Sequence, residues 1–250
     1  MNIPVQLIRI TLEQKIKNTV KLYLYLKWIT SGHFILNGHV IKSICNNLGY
    51  KTPKTFYKHL NLLLKWKWIT LNSKKGRYRI ISYKQLAKKL NFRAYSGVIF
   101  DPVDFSKLNA FMYGAIISYF VKYRRRADSL SRSKGSGRSS NRNGSSSYNS
   151  LPCKYLAGVL NISQSTASEY KQLAHKHGFI TVVKKYETLD NVPSDNNNYW
   201  KELIDKPNAI VLVDGKFQIQ LADEITPNVY FRSKKEIKKH LKLYGKNPKR

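Results

Sequence analysis

The sequence predicts an α+β fold, mainly helical, in which two similar units of paired helices are each followed by a β-hairpin. A polar insertion interrupts the second unit, and a basic helix ends the chain. Three observations carry this expectation. Apolar residues recur at helical three-and-four spacing through most of the chain. β-prone runs with glycine-punctuated turns follow the helical segments near residues 69 and 180. Segments 40–70 and 152–181 also carry one pattern twice, with Ile44 matching Leu156, Leu48 Leu160, Thr55 Thr166, Leu62 Leu173, and Ile69-Thr70 Ile180-Thr181 across a one-residue gap.

The first helix is expected over Leu12 to Trp28, where Ile16, Val20, Tyr23, Leu24 and Trp28 share a face. "HFIL" (33–36) is a short β-prone run, and Ile41, Ile44, Cys45 and Leu48 line the next helix, which Gly49 closes in the left-handed conformation that glycine tolerates. Thr52 can cap the third helix and Pro53 open it, because a proline there gives up an N–H that has no helical partner anyway. That helix runs through Phe56, Leu60 and Leu63 to Trp68-Ile69-Thr70, and "LNSKKGRYRIIS" then forms a turn and a second strand. A short helix over 83–91 and a strand at "GVIFD" connect to the second half, whose first helix starts at Asp104 or Ser106 and runs to Arg126.

From Ser129 to Ser150, ten of 22 residues are serine and four are basic, with almost nothing apolar. Such a segment buries too little to offset its ordering entropy, so a disordered Ser/Arg-rich tether is expected. Ser150 and Pro152 then start a helix with Leu156, Val159 and Leu160 inward. Ser163 caps the following one, whose inward stripe is Ala167, Tyr170, Leu173 and Ala174 and whose stop is Gly178. "FITVVKKYETL" reads as one strand, 190–208 as a long loop, and "AIVLVDGKFQIQL" as a hairpin turning at Asp214-Gly215, an elongated second wing. The expected organisation is thus a first domain over 1–82, a connector over 83–103, a second domain over 104–232 with the tether at 129–150, and a basic helix and tail over 233–250.

Charge narrows the function. Lys and Arg number 45 against 14 acids, a formal charge of +31, which self-repels unless a polyanion neutralises it. Nucleic acid is the expected partner. No apolar run reaches the roughly 18 to 20 residues of a membrane span; the longest is "AFMYGAIISYF" (110–120). "MNIPVQLIRI" lacks the signal-peptide pattern, so a cytoplasmic location is expected, nucleoid-associated if the host is bacterial. Cys45 and Cys153 are too few for a zinc pattern and read as small buried hydrophobes.

Helix, short strand, helix, turn, helix, hairpin is the order of a winged helix, and each half resembles a winged helix-turn-helix domain. "LAGVLNISQSTASEYKQLAHKHGFIT" (156–181) resembles the corresponding region of many bacterial regulators. Two such domains in one basic chain resemble, in domain order, the replication initiators of plasmids and phages. This resemblance implies sequence-specific DNA binding by two recognition helices, with host replication proteins as further partners. In the second unit, Gln164, Ser165, Thr166 and Ser168 would face base edges and Lys171 a phosphate; in the first, Lys54, Thr55 and Lys58 hold the matching positions and Tyr57 would lie against a sugar or base. Lys74, Lys75, Arg77 and Arg79 of the first wing, and Lys184 and Lys185 of the second, would reach phosphates or the minor groove.

No enzyme is expected. The Gly-Lys pairs at 215 and 245 lack the rest of a phosphate-binding loop. His175 and His177 point roughly 200° apart on a helix, the histidine pair of a rolling-circle nicking enzyme is missing, and the acids form no metal-binding set. Neither metal nor cofactor is expected. Two other readings remain at this stage: a transcriptional regulator with the same chemistry, working with host transcription proteins at a promoter, and a protein of a mobile element that coats nucleic acid without reading it.

Overall fold

The computed structural model describes residues 1–92, 96–135, 151–188, 210–213, 215–220 and 223–233. The architecture is α+β, with eight α-helices and four small antiparallel sheets among these residues. In order they are β1 Asn2–Pro4, α1 Val5–Glu13, α2 Lys17–Ile29, β2 His33–Phe34, α3 Gly38–Leu48, α4 Pro53–Lys65, β3 Ile69–Asn72, β4 Arg77–Ile80, α5 Tyr83–Lys89 and β5 Ser96–Ile99. A 3-10 turn, Phe105–Lys107, leads into α6 Leu108–Gly135. Then come α7 Cys153–Leu160, α8 Gln164–Lys176, β6 Ile180–Val183, β7 Tyr186–Thr188, β8 Ile210–Val213, β9 Lys216–Gln220, β10 Glu224–Pro227 and β11 Phe231–Ser233.

The helix expected over 12–28 is two helices. Lys15 adopts a left-handed φ of 57°, and the Ile16 N–H donates to the Thr11 carbonyl at 3.1 Å, which closes α1 and lets α2 leave in a new direction. The break separates two burial tasks. Leu7, Ile8 and Leu12 are buried on α1, which packs against α6 and α7, whereas α2 buries Leu22 to Leu26 and packs against α4. Thr52 makes no side-chain cap to the backbone; Pro53 alone marks the start of α4. Gly49 closes α3 at φ 67°, as expected.

The first sheet has the order β2-β4-β3, so β4 lies between the strand after α2 and the strand after α4. Its alternation sorts the faces: Tyr78 and Ile80 turn inward, and Arg77 and Arg79 are exposed. In the second half β6 pairs with β10, a strand not anticipated in the sequence, while the hairpin β8–β9 turns at Gly215 and pairs with β7. "FITVVKKYETL" is therefore two strands in two sheets, because β6 closes on β10 and releases the chain at Lys184-Lys185.

The expected connector contributes to the core. β5 is the middle strand of a sheet ordered β1-β5-β11, which joins the N-terminal arm to the chain beyond β10. One hydrophobic core runs from Ile3 through Tyr23, Phe56, Phe100, Phe111 and Leu160 to Ile225, continuous across the boundaries that composition draws at 82 and 104. Asp104 starts the 3-10 turn; hydrogen bonds from Ser106 and Lys107 hold its carboxyl at about 2.

Helix α6 continues to Gly135, so the first seven residues of the stretch expected to be a disordered tether are helical. The rest of that stretch (136–150, with Ser150), the expected loop over 190–208 and the expected basic helix and tail beyond Ser233 lie outside the described residues. Ser233 itself pairs with Ser96 in β11.

Helix α6 approaches the second unit closely at Gly114, where a Cβ would stand 2.5 Å from Cβ of Phe179. Alanine there gains about 1 kcal/mol of helix propensity but forces apart two backbones, an overpacking cost of about 1–3 kcal/mol. Gly114→Ala is expected to lower the thermal midpoint despite its better propensity, and an unchanged or raised midpoint in a melting scan would show that α6 can shift.

Candidate nucleic-acid interface

The two helix pairs, α3–α4 and α7–α8, are built by the same backbone bonds. After α3 the Tyr50 N–H donates to the Cys45 carbonyl at 2.8 Å; after α7 the Ile162 N–H donates to that of Ala157 at 3.0 Å, with Asn161 at φ 51° where the first unit has Gly49. Each bond spans six residues around one left-handed position, which is how a helix ends abruptly enough for the next to start at an angle. At the far end, the N–H groups of Trp66, Lys67 and Trp68 donate to Leu62, Leu64 and Leu63, and those of His177, Gly178 and Phe179 to Leu173, His175 and Ala174. The pairings match residue for residue at an offset of 111, with Lys67 (φ 54°) standing where the second unit has Gly178 (φ 75°).

Each second helix is anchored to the long helix behind it. Phe56, Leu60 and Leu63 of α4 are buried, and Thr19 Oγ1 of α2 lies 2.9 Å from His59 Nδ1. Burial, followed by the nearby Lys58 charge, lowers the His59 pKa, which favours the neutral ring. On α8, Ala167, Tyr170 and Ala174 are buried against α6, with the Tyr170 ring stacked on Tyr113 at 3.8 Å. Leu173, expected in this inward stripe, is instead 42% exposed. Two alanines and one ring suffice to seat α8, and Leu173 falls at the margin of that narrow face.

The outward faces carry most of the expected residues. Lys54, Tyr57 and Lys58 are exposed at the start of α4, and Thr55 is half-buried. On α8, Gln164 and Ser165 are exposed, and Thr166 and Ser168 half-buried. Ser163 caps this helix, accepting from the Thr166 N–H at 3.1 Å, and its hydroxyl lies 2.8 Å from both Ser165 Oγ and Thr166 Oγ1. Two of the four expected reading groups are thus already engaged in the cap, leaving Gln164 as the long uncommitted amide.

Lys74, Lys75, Arg77 and Arg79 are all exposed on the β3–β4 hairpin. The strand register adds residues not singled out from sequence: His33 stands opposite Arg79, which is also opposite Thr70, and Arg77 is opposite Asn72. With Lys75 these side chains line one shallow depression on the sheet's outer face, and no acid is among its lining groups. The alternation of 77–80 was legible, but the neighbour of Arg79 required the pairing of β2 with β4.

Two expected phosphate contacts are committed elsewhere. The Lys171 ammonium pairs with the Asp223 carboxylate, each side chain only 13% exposed, and Gln220 also donates to Asp223. Lys185 is half-buried and 2.8 Å from Glu224; Lys184 is exposed. Lys171 therefore fastens α8 to the strand region around β10. Removing one partner of such a pair leaves an unpaired, largely buried charge at a cost of roughly 3–5 kcal/mol. Asp223→Ala and Lys171→Met are each expected to lower the unfolding free energy by about that amount in denaturant titration, since each strands the other's charge; negligible losses in both would contradict the pairing.

Among the described residues, no helix is long and apolar enough to cross a membrane, and no three His, Cys, Asp or Glu side chains gather as metal ligands. No family model, curated protein or solved structure matches the chain.

Proposed function

We propose that this chain is a sequence-specific double-stranded DNA-binding protein that lays α4 and α8 in major grooves, and that it acts as a replication initiator of a plasmid or phage. The observation that carries the reading is the duplicated helix pair: two units with the same backbone bonds at both ends of the second helix, each presenting an exposed polar first turn, in a chain of charge +31. A major groove is wide enough for one helix, and the first turns of that helix meet base edges. The basic outer face of β2-β4-β3 supplies cations beside α4, where phosphate contacts would fix the register.

Reading both halves as winged helix-turn-helix domains is part of this proposal. The first half has the helix, strand, helix, helix, hairpin order and the sheet order β2-β4-β3 that the reading asks for. The second half departs from it, since β6 takes β10 as its partner. Gln164, Lys54, Tyr57 and Lys58 are assigned to base and groove contacts, and Lys74, Lys75, Arg77, Arg79 and Lys184 to phosphates. Lys171 and Lys185 are left out because each holds an acid.

Selection of bound sequences from a random duplex pool tests the reading. The wild type is expected to enrich one motif with two unlike halves, and a Gln164→Ala/Lys54→Ala double variant is expected to lose preference at positions in both halves. If the wild type enriches nothing, sequence-specific recognition is wrong; if the variant enriches the same motif equally well, the reading residues are wrong. Initiation is then tested by whether the enriched motif supports replication of a plasmid carrying it when the protein is supplied in trans.

A further inference from the structure

Helix α2 carries the first unit's α4 on its flank and follows directly on the left-handed break at Lys15. Upstream of that break, β1 and α1 belong with β5, α6 and α7. The break is thus where the first unit would swing relative to the second. Lys17 is the first residue of α2, one position after the α2 N-cap at Ile16. Its ammonium donates to the Tyr113 hydroxyl of α6 at 2.8 Å and lies over the rings of both Tyr113 and Tyr170, 5.3 and 5.4 Å from their centroids. Tyr170 is on α8. One cation therefore touches the helix that carries α4, the helix behind α8, and α8 itself. At the other end of α2, Tyr25 and Trp28 pack on Phe105 with ring centroids 5.1 and 5.5 Å away, an apolar contact that tolerates rotation.

We infer that Lys17 is a positioning residue that fixes the separation of α4 and α8, so that the two helices engage DNA at one half-site spacing. The spacing clause rests on the DNA-binding reading above; the clamp itself does not. Lys17 carries a hydrogen bond and two cation–π contacts at a half-buried seam, and the stacked ring pair leaves the ammonium few alternative positions. Without it, α2 keeps its pivot at Phe105 and the break at Lys15, and α4 gains freedom relative to α8.

Two measurements test this. Spin labels at Asn61→Cys on α4 and Gln172→Cys on α8, both exposed positions, report the separation by pulsed electron resonance in a Cys153→Ala background; Cys45 is buried. The protein with Lys17 is expected to give a single narrow distance, and Lys17→Met a broadened or split one, with Tyr113→Phe, which keeps the ring and loses the hydroxyl, between them. A broad distribution with Lys17 in place, or one that Lys17→Met leaves unchanged, overturns the inference. On the selected DNA, inserting about five base pairs between the halves turns the second groove to the opposite side of the duplex. This should cost the wild type about a hundredfold in affinity, the loss of bivalent engagement, and Lys17→Met much less. Equal tolerance in both proteins overturns the spacing clause. A narrow distance that Lys17→Met broadens, in a protein that selects no DNA motif, would uphold the clamp and remove the DNA-binding reading.

Discussion

Raising the salt from 50 to 200 mM is expected to weaken binding to the selected DNA by about a thousandfold or more, the loss that follows when six to ten phosphates are neutralised. The exposed cations assigned to phosphates are Lys74, Lys75, Arg77, Arg79 and Lys184, and Lys54 and Lys58 add their charge within the groove, seven cations in all, within that range. Lys171 and Lys185 add nothing because Asp223 and Glu224 already hold them. Each phosphate contact contributes a slope of about −0.9 in log affinity against log salt. Arg77→Ala/Arg79→Ala should therefore flatten the slope by about two and weaken all duplexes alike, whereas Gln164→Ala should leave the slope alone and relax sequence preference. Fluorescence anisotropy of a labelled duplex across a salt series reads both quantities. A wild-type slope near zero would contradict the electrostatic assignment, and a slope indifferent to the loss of both arginines would move the phosphate contacts off the outer face of β2-β4-β3.

Much of this arrangement was legible wherever the chemistry is local. Pro53, Gly49, Gly178 and the turn at Gly215 each mark an element end through their own backbone preferences, and all four lie where the sequence placed them. The break at Lys15 was not legible. A lysine carries no left-handed signal, and the apolar spacing runs through it from Leu12 to Val20. Nor were β10 and β11, strands of four and three residues whose partners lie 40 or more residues away and whose alternation is too short to register. The site divides along the same line. Exposure of Lys54, Lys58 and Gln164 follows from helical phase, but the fate of Lys171 depends on Asp223, 52 residues later, and helical phase alone makes that lysine look free for phosphate. Ser165 and Thr166 illustrate a third case, since the residue types that suit base reading also suit capping, and here the Ser163 hydroxyl draws both in.

Phe111→Ala is expected to destabilise both halves of the molecule together, by about 3–5 kcal/mol, the usual cost of emptying a buried phenylalanine site. Phe111 is 2% exposed on α6, and its ring meets Phe100, which follows β5, at 4.8 Å and Phe179, which precedes β6, at 5.5 Å. The cavity would open where the β1-β5-β11 sheet, α6 and the second helix pair converge. Trp66 and Trp68 lie in the first half away from Phe111, whereas Trp28 packs on Phe105 beside Phe100, so in a Trp28→Phe/Trp200→Phe background the remaining fluorescence reports a region that Phe111 does not belong to. If the halves were independent domains, the tryptophan transition in denaturant would stay in place while the second half unfolded early. A continuous core from Ile3 to Ile225 predicts the opposite: one transition, shifted as a whole, with tryptophan emission and helical circular dichroism moving together. That cooperativity is also what a fixed separation of α4 and α8 requires, because a unit that could unfold alone would have no stable partner surface to be clamped against.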